Sequence, residues 1–125
     1  MSQGLILFAH GARDARWAEP FERLRERVSS AIPKTPVALA YLEFMAPDLP
    51  KAAAALCASG CRQIVLVPIF LGQGGHLRQD LPRLLQEAAT AHPDCQFRMS
   101  DAAGEDGAVI DALATYCLRQ LSDRA

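Results

Sequence analysis

Four apolar runs of strand length alternate along this chain with four stretches of helical period, and that alternation most constrains its fold. The runs are Leu5–Ala9, Val37–Leu42, Gln63–Phe70 and Cys95–Met99. After the first, Trp17, Phe21, Leu24 and Val28 recur at helical spacing, until Pro33 and Pro36 stop the helix. Asp48 is a candidate N-cap, with Pro50 in the first turn, for an alanine-rich helix that ends at Gly60. Leu81, Leu84, Leu85 and Ala88 mark a third helix, and Val109, Ile110, Leu113, Tyr116, Cys117 and Leu121 mark a closing one.

This βαβαβαβα order predicts an α/β fold, a parallel four-stranded sheet with helices on both faces. Right-handed crossovers favour the flavodoxin-like strand order 2-1-3-4 in three layers. Ile64–Phe70 is apolar on both faces, which suits a central strand, and Pro68 predicts that its pairing loosens near the end. The ligand crevice then falls at the carboxyl ends of strands 1 and 3. With 125 residues and no break in composition, the chain is expected to form a single domain over residues 1–125.

Charge narrows the partners. Thirteen Lys+Arg against fourteen Asp+Glu give a net charge of −1, so no global field draws nucleic acid or an anionic membrane. No apolar run approaches the roughly 20 residues of a membrane span. The first run is also too short for a signal segment, so the chain is expected in the cytoplasm with reduced thiols. Cys57, Cys61, Cys95 and Cys117 lack the paired spacing of common zinc modules and read as packing residues.

The strand ends carry the chemistry. His10 follows strand 1, Glu43 follows strand 2, and His76 lies in the loop expected after strand 3. In a 2-1-3 order these strands are neighbours about 4.8 Å apart, so two imidazoles and a carboxylate converge on one rim. Such a set suits a divalent first-row metal with coordination positions left open. Arg13, Arg16 and Arg78 flank the two histidine loops and are candidates for a polycarboxylate ligand. Gly72, Gly74 and Gly75 do not form a P-loop or a dinucleotide fingerprint. They either let backbone approach something large and flat or merely make a turn, and a nearby helix N-terminus can hold a carboxylate. His92 sits beside Pro93 at a helix C-terminus and reads as structural.

Three segments resemble the sirohydrochlorin chelatases of the CbiX/SirB type. They are His10-Gly11-Ala12-Arg13-Asp14, Tyr41-Leu42-Glu43, and Val67-Pro68-Ile69-Phe70-Leu71-Gly72-Gln73-Gly74-Gly75-His76. The resemblance covers essentially the whole chain. The length is similar to the short, single-domain form, which in that family works as a homodimer, whereas longer members fuse two halves. One departure is Ala12, where the family usually has serine, so a hydroxyl is missing there.

The resemblance implies a lyase that inserts Co2+ or Fe2+, with Ni2+ a third candidate, into sirohydrochlorin in cobalamin or siroheme synthesis. The metal is then a substrate, and no organic cofactor is expected. Onto this sequence the resemblance carries the metal site as His10, Glu43 and His76. An ordinary imidazole, with a pKa of about 6.5, can accept a pyrrole proton near neutral pH and hold a metal loosely. His10 is the first choice for proton acceptor and ligand, His76 the partner ligand, and Glu43 a ligand or second acceptor. Gly74, Gly75, Arg13, Arg16 and Arg78 are expected to meet the substrate. Two other readings stand beside this one. A histidine-dependent phosphohydrolase would use the His-Gly loop, although histidine phosphatases carry arginine where Ala9 stands. A non-catalytic carrier would bind metal or tetrapyrrole stoichiometrically.

Overall fold

In the computed structural model, which describes residues 2–72 and 74–122 (His76 and Ser122 by backbone alone), each apolar run becomes a parallel strand. The strands are β1 (Gln3–Ala9), β2 (Val37–Tyr41), β3 (Gln63–Pro68) and β4 (Gln96–Met99). They form one sheet in the order β2-β1-β3-β4, as the crossover rule requires. β3 ends at Pro68, which pairs with Phe8.

Four helices connect and follow the strands: α1 (Glu19–Ala31), α2 (Leu49–Ala58), α3 (Gly75–Ala91) and α4 (Gly107–Ser122). Short 3-10 turns at Ala15–Ala18 and Ala103–Glu105 precede α1 and α4. Asp48 caps α2 through its carboxylate, which accepts from the Lys51 N–H at 3.0 Å, and Gly60 leaves that helix with φ +102°. His92 is the C-cap of α3.

The two faces of the sheet have separate cores. On one, Ile6, Phe8, Ile64 and Leu66 pack against Leu49, Ala52, Ala53 and Leu56 of α2 and against Leu81 and Ala88 of α3. On the other, Leu7, Ala9, Leu39 and Tyr41 pack against Ala18, with Trp17, Phe21 and Leu24 partly covering them. Burial of β1 on both sides explains its unbroken hydrophobicity.

Three of the four cysteines pack as expected, and Cys117 does not. Cys61 and Cys95 are buried and Cys57 is half-buried, with its Sγ 2.8 Å from that of Cys95. Burial first, then the Cys95 thiol beside it, pushes the Cys57 pKa up to about 12. Cys117 is exposed on α4. Among the described residues no helix is long and apolar enough to cross a membrane.

Candidate metal and substrate cleft

β1 releases its chain at Ala9, and the backbone ladder continues for two residues beyond the strands. Leu42 N–H donates to the Ala9 carbonyl at 3.0 Å, and Glu43 N–H donates to the His10 carbonyl at 3.1 Å. His10 and Glu43 are thereby held side by side, both exposed. Gly11 makes the approach possible. It has φ +94°, and a Cβ on it would overlap the Glu43 carbonyl oxygen. Across the same junction the Arg13 guanidinium lies 4.8 Å from the centre of the Phe44 ring, a cation–π contact between the two loops.

On the β3 side, Ile69 N–H donates to the Phe8 carbonyl at 2.8 Å, and the Phe70 ring meets His10 edge-on at 6.4 Å between centroids. The loop beyond Phe70 is pinned from the far end of the chain. Gly104 N–H donates to the Phe70 carbonyl at 2.7 Å, and a Cβ on Gly104 would overlap the Leu71 backbone.

An open cleft of about 620 Å³ lies between these loops, lined by His10, Leu42, Glu43, Gly74, Leu77 and Asp80. The sheet therefore brings together His10, Glu43 and the start of α3. The position of His76 differs from the sequence reading: it lies in the first turn of α3, not in a loop. Gly74 is the N-cap, with no side-chain cap bond, so the helix opens at Gly75 by backbone conformation alone. The His76 side chain lies outside the described residues.

Asp80, four residues after His76, was missed as a site residue. At i,i+4 it shares a helix face with position 76, a relation hidden while the helix start was unplaced. Its carboxylate is 3.7 Å from the Arg83 guanidinium and only 28% exposed.

The candidate substrate arginines stand away from this lining. Arg13 is exposed and committed to Phe44, Arg78 is exposed in α3, and Arg16 pairs with Asp14 at 3.1 Å. Hydrogen bonds from the Arg16 side chain and backbone hold the Asp14 carboxyl below its usual range. Gly74 lines the cleft, and Gly75 opens the helix behind it. Phe44 and Leu71, in the loops after β2 and β3, are 57% and 67% exposed. Met45 is half-buried against the α1-side core.

Residues 4–118 match the CbiX family. A sirohydrochlorin cobaltochelatase of Methanocaldococcus jannaschii is 34% identical over 83 residues, which are 66% of this chain and 58% of that relative. One from Saccharolobus solfataricus is 35% identical over 82 residues, 66% of this chain and 62% of its own length. The matched segment thus spans less than two thirds of these curated relatives. A cobalamin (vitamin B12) biosynthesis CbiX protein from Marinobacter aquaeolei VT8 superimposes with a TM-score of 0.87 at 32% identity, covering 98% of this chain and 99% of that one. The sirohydrochlorin chelatase SirB of Bacillus subtilis subspecies spizizenii, solved with cobalt, shares the fold at a TM-score of 0.81 and 22% identity. It covers 92% of this chain but 49% of its own.

Proposed function

Because the chain belongs to the CbiX family, we propose that it inserts a divalent metal, Co2+ or Fe2+, into sirohydrochlorin. The observation that carries this reading is the cleft itself, where an imidazole and a carboxylate from adjacent strand ends open beside the N-terminus of α3. In the reaction the metal sheds water, four ring nitrogens bind it, and two pyrrole N–H protons leave. His10 accepts one proton and serves as a ligand. Glu43 is the auxiliary ligand or second acceptor, and His76 is the partner ligand. Mixed nitrogen and oxygen donors hold cobalt or iron without the permanence of thiolates.

The substrate's carboxylates meet the first turn of α3, whose N–H groups carry no side-chain cap at Gly74. Arg13, Arg78 and Arg16 extend that attraction, Arg16 by exchanging its exposed Asp14 partner, a pair of little intrinsic strength. A tetrapyrrole is a broad plate, and one open rim leaves its far side in water, whereas binding sites commonly enclose most of a ligand. SirB supplies the same fold over half of a longer chain. Here a second copy is the counterpart, so the working unit is a homodimer built from a single domain per chain. We place it in the cytoplasm, and its pathway is cobalamin or siroheme synthesis.

The test is absorbance of sirohydrochlorin with Co2+, Fe2+ and Ni2+ at substoichiometric protein. Many turnovers per chain are expected. His10→Ala and His76→Ala should each remove most of the rate from folded protein. Stoichiometric binding without turnover would leave only a carrier, and near-normal turnover in both variants would remove the site assignment.

A further inference from the structure

Three cysteines meet at the amino ends of the strands, the opposite end of the sheet from His10 and Glu43. Cys57 lies in the last turn of α2, Cys61 follows that helix, and Cys95 stands one residue before β4. The Cys95 S–H has two acceptors, the Cys57 Sγ at 2.8 Å and the Cys61 carbonyl at 3.3 Å. The backbone on either side of the two sulfurs is fixed. Cys95 N–H donates to the His92 carbonyl at 3.0 Å, and the Arg62 guanidinium donates to the Cys57 and Cys61 carbonyls at 3.3 and 2.9 Å. Cys61 stands apart from the pair, because its buried thiol turns to the Gln3 carbonyl at 3.6 Å.

A second cleft, of about 370 Å³, opens beside the pair, and its lining includes Cys57, Arg62, His92 and Cys95 but not Cys61. Cys57 is half-buried, so a small molecule in this cleft reaches its sulfur first, with Cys95 behind it. Nothing in the metal cleft at the other end of the sheet uses these thiols. A disulfide bond is about 2.05 Å long, so closing one here asks the sulfurs to approach by less than about 1 Å.

We infer that Cys57 and Cys95 are a dithiol site for a low-molecular-weight disulfide, which converts them into an internal disulfide stapling α2 to the turn before β4. The Cys57 thiolate attacks one sulfur of the small disulfide RSSR and releases RS⁻, leaving a mixed disulfide. The Cys95 sulfur then attacks the Cys57 Sγ, forms the Cys57–Cys95 bond and expels the second RS⁻ into the cleft. The two cysteine protons end on the two released thiolates, so the pair is oxidised by two electrons and one RSSR becomes two RSH. The first step is slow, because burial keeps the Cys57 thiolate scarce, and the Arg62 charge only partly opposes this. The second step is fast, because it joins atoms already in contact within one molecule. The mixed disulfide therefore does not accumulate. The closed loop joins residues 38 apart in the chain, and such a link restricts the unfolded state.

The test uses full-length Cys117→Ser, which removes the exposed competing thiol. Reduced protein is incubated overnight with glutathione disulfide under nitrogen, quenched with N-ethylmaleimide in urea, and mapped by peptide mass spectrometry. A loss of two hydrogens is expected, with a Cys57–Cys95 link, Cys61 alkylated and no glutathione adduct. The linked protein should melt roughly 5–15 °C above the reduced one, and dithiothreitol should reverse the shift. Cys95→Ser in the same background should instead hold glutathione on Cys57. A link to Cys61, an adduct that persists on Cys57 beside an intact Cys95, or three thiols still free after the incubation would each overturn the inference. A linked protein that melts no higher than the reduced one would overturn the staple. If Cys95→Ser does not fold, the linkage map of the Cys117→Ser protein decides alone.

Discussion

Replacing Gly11 with alanine should lower the rate of the proposed metal insertion about 100-fold while leaving the protein folded. Gly11 has φ +94°, a backbone region that costs an L residue about 1–2 kcal/mol. The new Cβ would also overlap the Glu43 carbonyl oxygen. Backbone cannot swing away as a side chain can, so the loops after β1 and β2 must separate, by something on the order of 1 Å. Misplacement on that scale can lower a rate about 100-fold. Separation also strains the Glu43-to-His10 hydrogen bond of 3.1 Å, a further contribution of about 1 kcal/mol. The total, roughly 2–3 kcal/mol, is smaller than the 5–15 kcal/mol of a typical domain.

Gly60 provides the matched control. Its φ is +102°, but a Cβ there meets nothing within 4 Å. Gly60→Ala therefore carries the conformational strain without the collision, and should lower Tm by roughly 4–8 °C with the rate intact. Both variants go through the sirohydrochlorin absorbance assay and thermal unfolding. Gly11→Ala should lose about 100-fold in kcat. If it keeps more than about a third of the rate, or if Gly60→Ala loses as much, the loop junction does not set the site.

Gly104→Ala should push the Leu71 backbone away and disturb the approach to Gly74, lowering the insertion rate by about 10- to 100-fold; a normal rate would show that this loop tolerates displacement. Asp80→Asn removes a carboxylate charge from the cleft and should lower kcat/KM by about 10-fold, a loss of roughly 1.4 kcal/mol in transition-state binding, with no comparable fall in Tm. An unchanged kcat/KM would take Asp80 out of the site. With its pKa raised from 9.0 to about 12, Cys57 holds far less thiolate near neutral pH than an ordinary cysteine. Iodoacetamide should therefore modify it far more slowly in native protein than in urea, and equal rates would contradict its burial.

The sheet and the identity of its rim were legible because period-2 and period-3.6 hydrophobicity survive any tertiary context. Strand order followed from crossover handedness, and Pro68 signalled only that pairing loosens near the end of the third run, which the structure ends two residues before Phe70. The start of α3 was hidden because its cap is Gly74, whose role is backbone conformation, with no capping side chain to read. Asp80 was lost with it. Gly11 and Gly104 carry no local signature either, since each answers to a carbonyl 32 or 33 residues away in the chain. The closing helix was legible as amphipathic, but amphipathicity states only that an apolar face needs cover.

The local construction of the cleft separates rigidity from retention. Its frame is backbone: hydrogen bonds at 3.0 and 3.1 Å join the first two loops, and Gly104 bonds at 2.7 Å into the third. The side chains it holds at the rim, His10 and Glu43, are exposed. A buried donor set would lose its water once, bind the ion, and resist giving it up, because release would strand unpaired groups in a dry site. Exposed donors on a fixed frame exchange metal for water at little cost and still present it at one place. Insertion requires both, since the ion must leave protein ligands for ring nitrogens while the plate is held still. The frame supplies the fixed geometry, and enclosure by a second copy would remove water only when the substrate is present. A site that handed over metal equally well after its frame was loosened would contradict this division of labour, which is why the Gly11 junction, which positions its neighbours without itself taking a proton, is the decisive place to cut.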